Sequence, residues 1–374
     1  TKDIDFSPLS RLDKLSTLDI SGNGLKSLIL PSLPRLKALH VPGNFLADLS
    51  FLNQVPSLCF LHLTGTTDLA VLDGLADLTS LSLSGEGLTN VNMSDGLSNR
   101  LTSLNLGSTG LTDYSFLKRL MSLTSLDLSN NNITELILPQ QLEDRISVLN
   151  VSGNKLTDYT FLKSLTGLTS LNLSDNALAN ANLAPGFFTT SLTSLDLSTT
   201  GLIDFSFIGG LPSLRSLDLS NNNLTNLTLP GLLAGLTSLN LGGNRLVDLQ
   251  FLDELINLSE LDISNNGLTS LILPEKLTGL AELHVGGNRL MDLTIPDGFT
   301  RLTSLELSQA TDTLFTLAGH AGHLNTLSLA GNLIRSLTLP EDLSNLVTLD
   351  LQGNSLREIP FSNRLSRLTS LNLS

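Results

Sequence analysis

The chain has 374 residues, with 21 Lys and Arg against 35 Asp and Glu and a net charge of −14, an acidic balance that sets it against nucleic acid and anionic membrane as partners. Hydrophobic residues make up 41% of it and aromatics only 4%, with no Trp, so a large core must be aliphatic. Its one cysteine, Cys59, excludes intrachain disulfides; no apolar run approaches the ~18 residues of a membrane span, and the first residues lack a signal-peptide pattern.

The first elements to read are copies of one another. The pattern LxxLxLxxNxL starts at Leu15, Leu36, Leu58, Leu78, Leu101, Leu123, Ile146, Leu168, Leu192, Leu214, Leu236, Leu258, Leu280, Leu302, Leu324, Leu346 and Leu368, seventeen starts spaced by 20 to 24 residues, most by 22. In each, LxLxx has period 2 and predicts a short strand with leucines on one side and polar residues on the other. Asn at the ninth position, as in Asn131, Asn176, Asn222 and Asn266, stands where the chain leaves the strand. Its amide is expected to bond the backbone of the turn and of the next unit. No coil can bury its leucines alone, so neighbours stack into an α/β solenoid with a parallel sheet along one side.

The returns between strands come in two kinds. Residues 5–15, DFSPLSRLDKL, align with DYSFLKRLMSL at 113–123 and read as the tail of a coil whose strand is missing. The same kind recurs as DLSFL (48–52), DYSFL (113–117), DYTFL (158–162), DFSFI (204–208) and DLQFL (248–252). It predicts a one-turn helix whose first amides are capped by Asp or Ser and whose Phe and Leu turn inward, so the Asp is read as structural. The other kind ends on proline, as LILP at 28–31, 136–139 and 271–274 and LTLP at 227–230, and predicts a short extended segment that Pro stops. Thr66, Glu86, Thr109, Thr200 and Ala310 replace the turn Asn; Thr can supply part of its hydrogen bonding and Ala cannot. The stretch 308–324 is therefore expected to bulge, with His320 and His323 read as a solvated pair whose spacing would also let them share a helix face. The last residues, LTSLNLS, stop inside a strand, and neither end carries a polar cap, so the chain is expected to be part of a longer protein.

These repeats resemble leucine-rich repeat proteins over essentially the whole chain. The D-x-S/T-F-L kind, with DFSPLSRL at 5–12 as its nearest match, is similar to the 22-residue bacterial repeats of internalin-like surface proteins; the Pro-ended kind departs from them. The resemblance implies a single leucine-rich repeat domain over 1–374 of about 17 coils. It implies a horseshoe or arc with the sheet on the concave face, short helical or extended returns on the convex face, and partners that bind the concave side.

Positions 3, 5 and 7 of each coil point to that face. They are mostly Ser, Asp, Asn, Gly and Thr, include Asp19, Asp127, Asp196, Asp218, Asp262, Asp350, Glu260, Glu282 and Glu306, and hold no Lys or Arg. This favours basic partners or cations. Asp196 and Asp218 fall side by side in adjacent coils, a weak candidate for calcium, although a flat row does not surround an ion; no other cofactor or metal is expected. Two clusters break the monotony. His40, Phe60 and His62, with Phe45 just beyond its turn Asn, put aromatics on a small polar face, a mark of a binding hot spot. Glu260, Asp262, Glu282, His284 and Glu306 could meet a segment rich in Lys and Arg. Cys59 should point to the other face.

No phosphate loop, HExxH, CxxC or GxSxG occurs, and no His stands as a base beside the recurring Ser and Asp, so no enzyme is expected. Asn-x-Ser/Thr at Asn92, Asn132, Asn150, Asn172, Asn223, Asn226, Asn257 and Asn372 falls partly on the strand face, where glycans would crowd the stack. A bacterial rather than eukaryotic secretory origin fits. The expected function is a protein-binding module of a bacterial surface or secreted protein. The alternatives are a stiff, cation-stabilised spacer, or the targeting region of a secreted effector enzyme.

Overall fold

The computed structural model describes residues 4–64, 69–85, 88, 91–179, 181, 183, 186–229, 233–309, 311–358 and 365–374. Thr66, Glu86 and Ala310, and Pro230 of the LTLP return, lie outside the described residues. The chain forms two compact units, Thr1–Ala177 with Phe187–Thr189, and Leu178–Gly186 with Thr190–Ser374.

Each of the seventeen repeat starts opens one strand, beginning two residues after it. Eight lie in the first unit, from Thr17–Asp19 to Ser170–Asn172, and nine in the second, from Ser194–Asp196 to Ser370–Asn372. Within each unit every strand pairs in parallel with the next, and equivalent repeat positions face each other: Ser216 stands opposite Ser238, Leu217 opposite Leu239 and Asp218 opposite Asn240. The register follows from the pattern, because a slip of one residue would turn every leucine outward.

The core is a stack of leucine layers. In the coil that starts at Leu214, that residue, Leu217, Leu219 and Leu224 are all buried, and the neighbouring coils repeat the arrangement. Backbone groups left at the turns are met by the ninth-position Asn. Asn222 is buried; its Nδ2 donates to Leu219 O at 3.0 Å within its own coil and to Leu197 O at 2.9 Å in the coil before. Its Oδ1 accepts from Thr200 N at 2.9 Å and Gly201 N at 2.8 Å. The side-chain bonds thus run back to the preceding coil and not to the next. Thr200 keeps part of the pattern, its Oγ1 donating to Leu197 O at 2.8 Å, and Thr109 does the same with Leu106 O at 2.8 Å.

The D-x-S/T-F-L returns are 3-10 helices, among them Ser50–Gln54, Ser115–Arg119, Thr160–Ser164, Ser206–Gly210 and Gln250–Glu254. The Asp stands one residue ahead of the N-cap and accepts the first helical amide, as Asp48 does from Ser50 N at 2.8 Å and Asp113 from Ser115 N at 2.8 Å. These amide bonds, and the hydroxyls of the same Ser or Thr, hold the carboxyls of Asp48, Asp113, Asp158 and Asp204 below the usual range. The Leu or Ile after Phe is buried in each of the five. Tyr114 and Tyr159 reach back to the carbonyls of Leu111 and Leu156 at 2.7 and 2.9 Å, and burial pushes both phenols up to about 12.

The LILP returns are extended, with the outer leucines buried and the central isoleucine exposed at Ile29, Ile137 and Ile272. Farther on, the returns become true strands. Leu290–Ile295, Thr311–Gly319 and Ser336–Thr338 form a second, three-stranded parallel sheet. The expected irregularity is present there: from Leu290↔Thr311 to Asp292↔Thr316 the pairing advances two residues on one strand and five on the other. His320 and His323 share no helix face. They sit at a turn after the strand, and His320 Nδ1 pairs with Asp297 Oδ1 at 2.9 Å in an exposed contact.

Candidate functional site

The polar face of the sheet is built mainly of residues that close their own turns. At the fifth position, a side-chain oxygen accepts the amide two residues on: Asp127 from Ser129 at 2.8 Å, Asn172 from Ser174 at 2.8 Å, Asp262 from Ser264 at 2.8 Å, Asp350 from Gln352 at 2.9 Å. These are Asx turns that satisfy the backbone where the strand ends. The sequence carried a signal for most of them, Asp or Asn followed two residues later by Ser or Gly; in the last it is Gln352.

The expected Asp196 and Asp218 row belongs to this class. The two carboxylates stand opposite each other in register. Asp196 Oδ1 accepts from Ser198 N at 2.9 Å and Ser198 Oγ at 2.8 Å. Asp218 accepts from Ser220 N at 2.8 Å on one oxygen and from Asn240 Nδ2 at 2.8 Å on the other. Hydrogen bonds thus engage the row whose like charges would otherwise repel.

Of the first cluster, the structure brings His40, Phe60 and His62 together and leaves Phe45 apart. His40 and His62 occupy position 5 of adjacent strands and face each other in register, with Ala38 opposite Phe60. The His40 and Phe60 rings lie 4.8 Å apart at 37°, and His40 and His62 rings 6.2 Å apart at 76°. All three are half-buried. Asp19 stands next in the row, opposite His40; the hydroxyl and amide of Ser21 hold its carboxyl below the usual range. Burial pushes the His62 imidazole down, the charge of His40 pushes the same way, and Asp19 opposes them. Phe45 is not part of this stack. It is 73% exposed beyond the turn, beside a separate ≈ 180 Å³ groove lined by Val41, Leu46, Leu49 and Leu63, because the ninth-position Asn44 is held inward and turns its neighbour away. Cys59 is half-buried, and its thiol lies 3.6 Å from Ser57 O.

The second cluster gathers in register across three strands. Glu260 faces Glu282, Asp262 faces His284, and His284 faces Glu306. Two of the five are already engaged in turns, Asp262 as above and Glu306 through Ser308 N at 2.6 Å. Glu260, Glu282 and His284 offer donor atoms that all lie within 4.8 Å of one another.

One feature of the opposite, return side was missed. Where helical and extended returns alternate, the difference in their bulk leaves a ≈ 340 Å³ groove, as between Asp248–Asp253 and Ser270–Pro274. It is flanked by Val247 and Ile272, both exposed, and Ile203 is exposed at the position equivalent to Val247 two coils earlier. The signal was a β-branched apolar residue beside a buried leucine, which period alone does not separate from core.

A family model described as Leucine Rich Repeat matches residues 14–36, 122–142, 213–234 and 257–280. No curated protein matches the sequence. Among solved structures, an internalin (InlF) of Listeria monocytogenes is similar at 21% identity and TM-score 0.52, over 98% of this chain and 88% of that one. A leucine-rich repeat protein of Leptospira interrogans is similar at 25% identity and TM-score 0.58, over 97% of both chains. The functional domain of InlJ of Listeria monocytogenes, which includes a cysteine ladder, is similar at 23% identity and TM-score 0.55, over 91% of this chain and 74% of that one; here the single Cys59 can build no such ladder. Among the described residues no helix is long and apolar enough to cross a membrane. The copied coil, the asparagine-closed turns and these likenesses together give the chain the leucine-rich repeat fold, with the repeat itself matched at four places and internalins among its structural neighbours.

Proposed function

We propose that this chain is a recognition module of a bacterial surface or secreted protein, and that it binds another protein through the polar face of its sheet. The observation that carries the reading is the contact of His40, Phe60 and His62 on a face made mostly of small polar groups. Aromatic rings at the centre of an interface supply the buried area that Ser, Asn and Asp cannot. Here they are held by paired strands and lose little freedom on binding. Phe45 supplies a further apolar contact at the edge of the same coils. The acidic residues, Glu260, Asp262, Glu282, His284 and Glu306 among them, favour a partner with a basic surface and speed its encounter more than they add affinity.

The test is capture from host and neighbouring-cell extracts, comparing the parent with a His40→Ser, Phe60→Ser, His62→Ser variant whose circular dichroism matches the parent's. A partner held by the parent and lost by the variant supports the reading and places its anchor. Equal capture by both removes the anchor, and no partner for the parent removes the reading.

A further inference from the structure

We propose that Glu260, Glu282 and His284 form a site for one divalent transition-metal ion of the zinc class. The three residues lie on one face of two adjacent strands. Glu260 and Glu282 stand directly opposite each other at position 3, and His284 is two residues on from Glu282, so the donors make a triangle and not a row. Their ligand atoms lie within 4.8 Å of one another, and His284 Nε2 is 4.0 Å from Glu282 Oε2. Zinc bonds nitrogen and carboxylate oxygen at about 2.0–2.2 Å, which places neighbouring tetrahedral ligands roughly 3.4 Å apart. Closing the triangle therefore takes a shift of about an ångström in side chains that stand partly in solvent, while paired strands hold the backbone.

The chemistry of the donors selects the ion. Calcium takes six to eight oxygens and magnesium a near-octahedral oxygen shell, and neither is served by three donors of which one is imidazole nitrogen. A mixed nitrogen and carboxylate set suits zinc and its first-row neighbours. Two carboxylates directly opposite in a sheet repel, and the Glu282 carboxylate has the His284 imidazole beside it, Nε2 to Oε2 at 4.0 Å. One oxygen of Glu260 accepts Ser238 Oγ at 3.0 Å, a contact of the kind that orients a ligating carboxylate and leaves its other oxygen free. Asp262 and Glu306 flank His284 on either side. One oxygen of each closes a turn, and both carboxylates add negative field beside His284. Three protein donors leave the fourth position to water.

This proposal stands independently of protein binding, and its failure leaves that reading intact. The chain is stripped with a chelator and titrated with ZnCl₂ by calorimetry, with CaCl₂ and MgCl₂ in parallel. One zinc site is expected, with no heat from calcium or magnesium. His284→Asn and Glu260→Gln should each weaken it at least about tenfold, since loss of even an outer-shell partner costs that much. His40→Ser with His62→Ser should leave it unchanged. Co²⁺ should give the visible absorption of a low-coordinate site in the parent, lost in both cluster variants; circular dichroism confirms that each is folded. Zinc affinity that is unchanged in both cluster variants, or that is lost with the His40 and His62 changes, overturns the assignment, as does the absence of any zinc heat in the parent.

Discussion

The coil that starts at Leu214 and the coil that starts at Leu58 place the same backbone at position 5 and use it differently. In the first, Asp218 ties down Ser220 N at 2.8 Å and takes Asn240 Nδ2 at 2.8 Å, and the strand stops after three residues, Ser216–Asp218. In the second, the strand runs on for five, Phe60–Thr64, paired through Thr64↔Ser84, so the ladder holds the backbone that a cap would otherwise hold. The coil between His40 and its turn reaches the same end by another route: position 7 is Pro42, which has no N–H to satisfy. Once the cap is dispensable, position 5 can carry an imidazole. In these two coils the position-5 side chain is released from the turn by the extended ladder or by Pro42.

The largest effect should come from the ninth-position Asn of the capped coil, whose side chain bonds two coils at once. Asn222→Ala should cost about 3 kcal/mol or more, because it strands buried carbonyls and amides in two coils at once. Asn222→Thr should cost about half as much, since a hydroxyl there can donate to the carbonyl of its own coil as Thr200 does to Leu197 O, while the shorter side chain falls short of the amides of Thr200 and Gly201 in the preceding coil. Urea denaturation measures both. Equal losses would show that the ladder acts through packing and not through hydrogen bonds.

A sharper contrast uses position 5 itself. Asp218→Ala removes a turn cap and should cost about 1 kcal/mol. His62→Ala caps nothing and should change stability by less than about 0.5 kcal/mol, while abolishing capture of the partner. Similar losses from the two substitutions would break the distinction between capped and free coils.

The fold was legible because it is written seventeen times: a period-2 leucine strand and an Asn at a constant offset leave one way to stack. Asp48 and its equivalents were legible as caps for the same reason. What remained hidden depends on relations between coils. No single coil shows that Asn222 reaches back to Leu197 and not forward. The strands Leu290–Ile295 and Thr311–Gly319 pair only because two adjacent returns both stay extended, a property of neither sequence alone. His40, Phe60 and His62 were visible as exceptions, yet their stacking, and the exclusion of Phe45 from it, follow from register and from the inward pull of Asn44. Glu260, Glu282 and His284 were legible as negative charge; that they form a triangle of donors required knowing which residue stands opposite which.

The smallest effect tests the environment of the free coil without disturbing it. His62 should titrate below the ordinary 6.5, because burial and the charge of His40 both disfavour its protonated form. A base whose folded value is depressed lets the unfolded chain take up protons first, so stability is unchanged well above 6.5 and declines as pH falls from there toward the folded midpoint. This window is separate from that of Asp48, Asp113, Asp158 and Asp204, whose depressed carboxyls contribute above the ordinary 3.8 and lose that contribution as pH falls through their folded values. Proton NMR of the five imidazoles, assigned by single substitutions, follows His62 directly. His40→Ser should raise its midpoint by removing a neighbouring charge, and Asp19→Asn should lower it by removing the one group that favours protonation. Shifts of opposite sign in these two variants would establish that Asp19, His40 and His62 act as one electrostatic row along the sheet; a midpoint that neither substitution moves would reduce the cluster to burial alone.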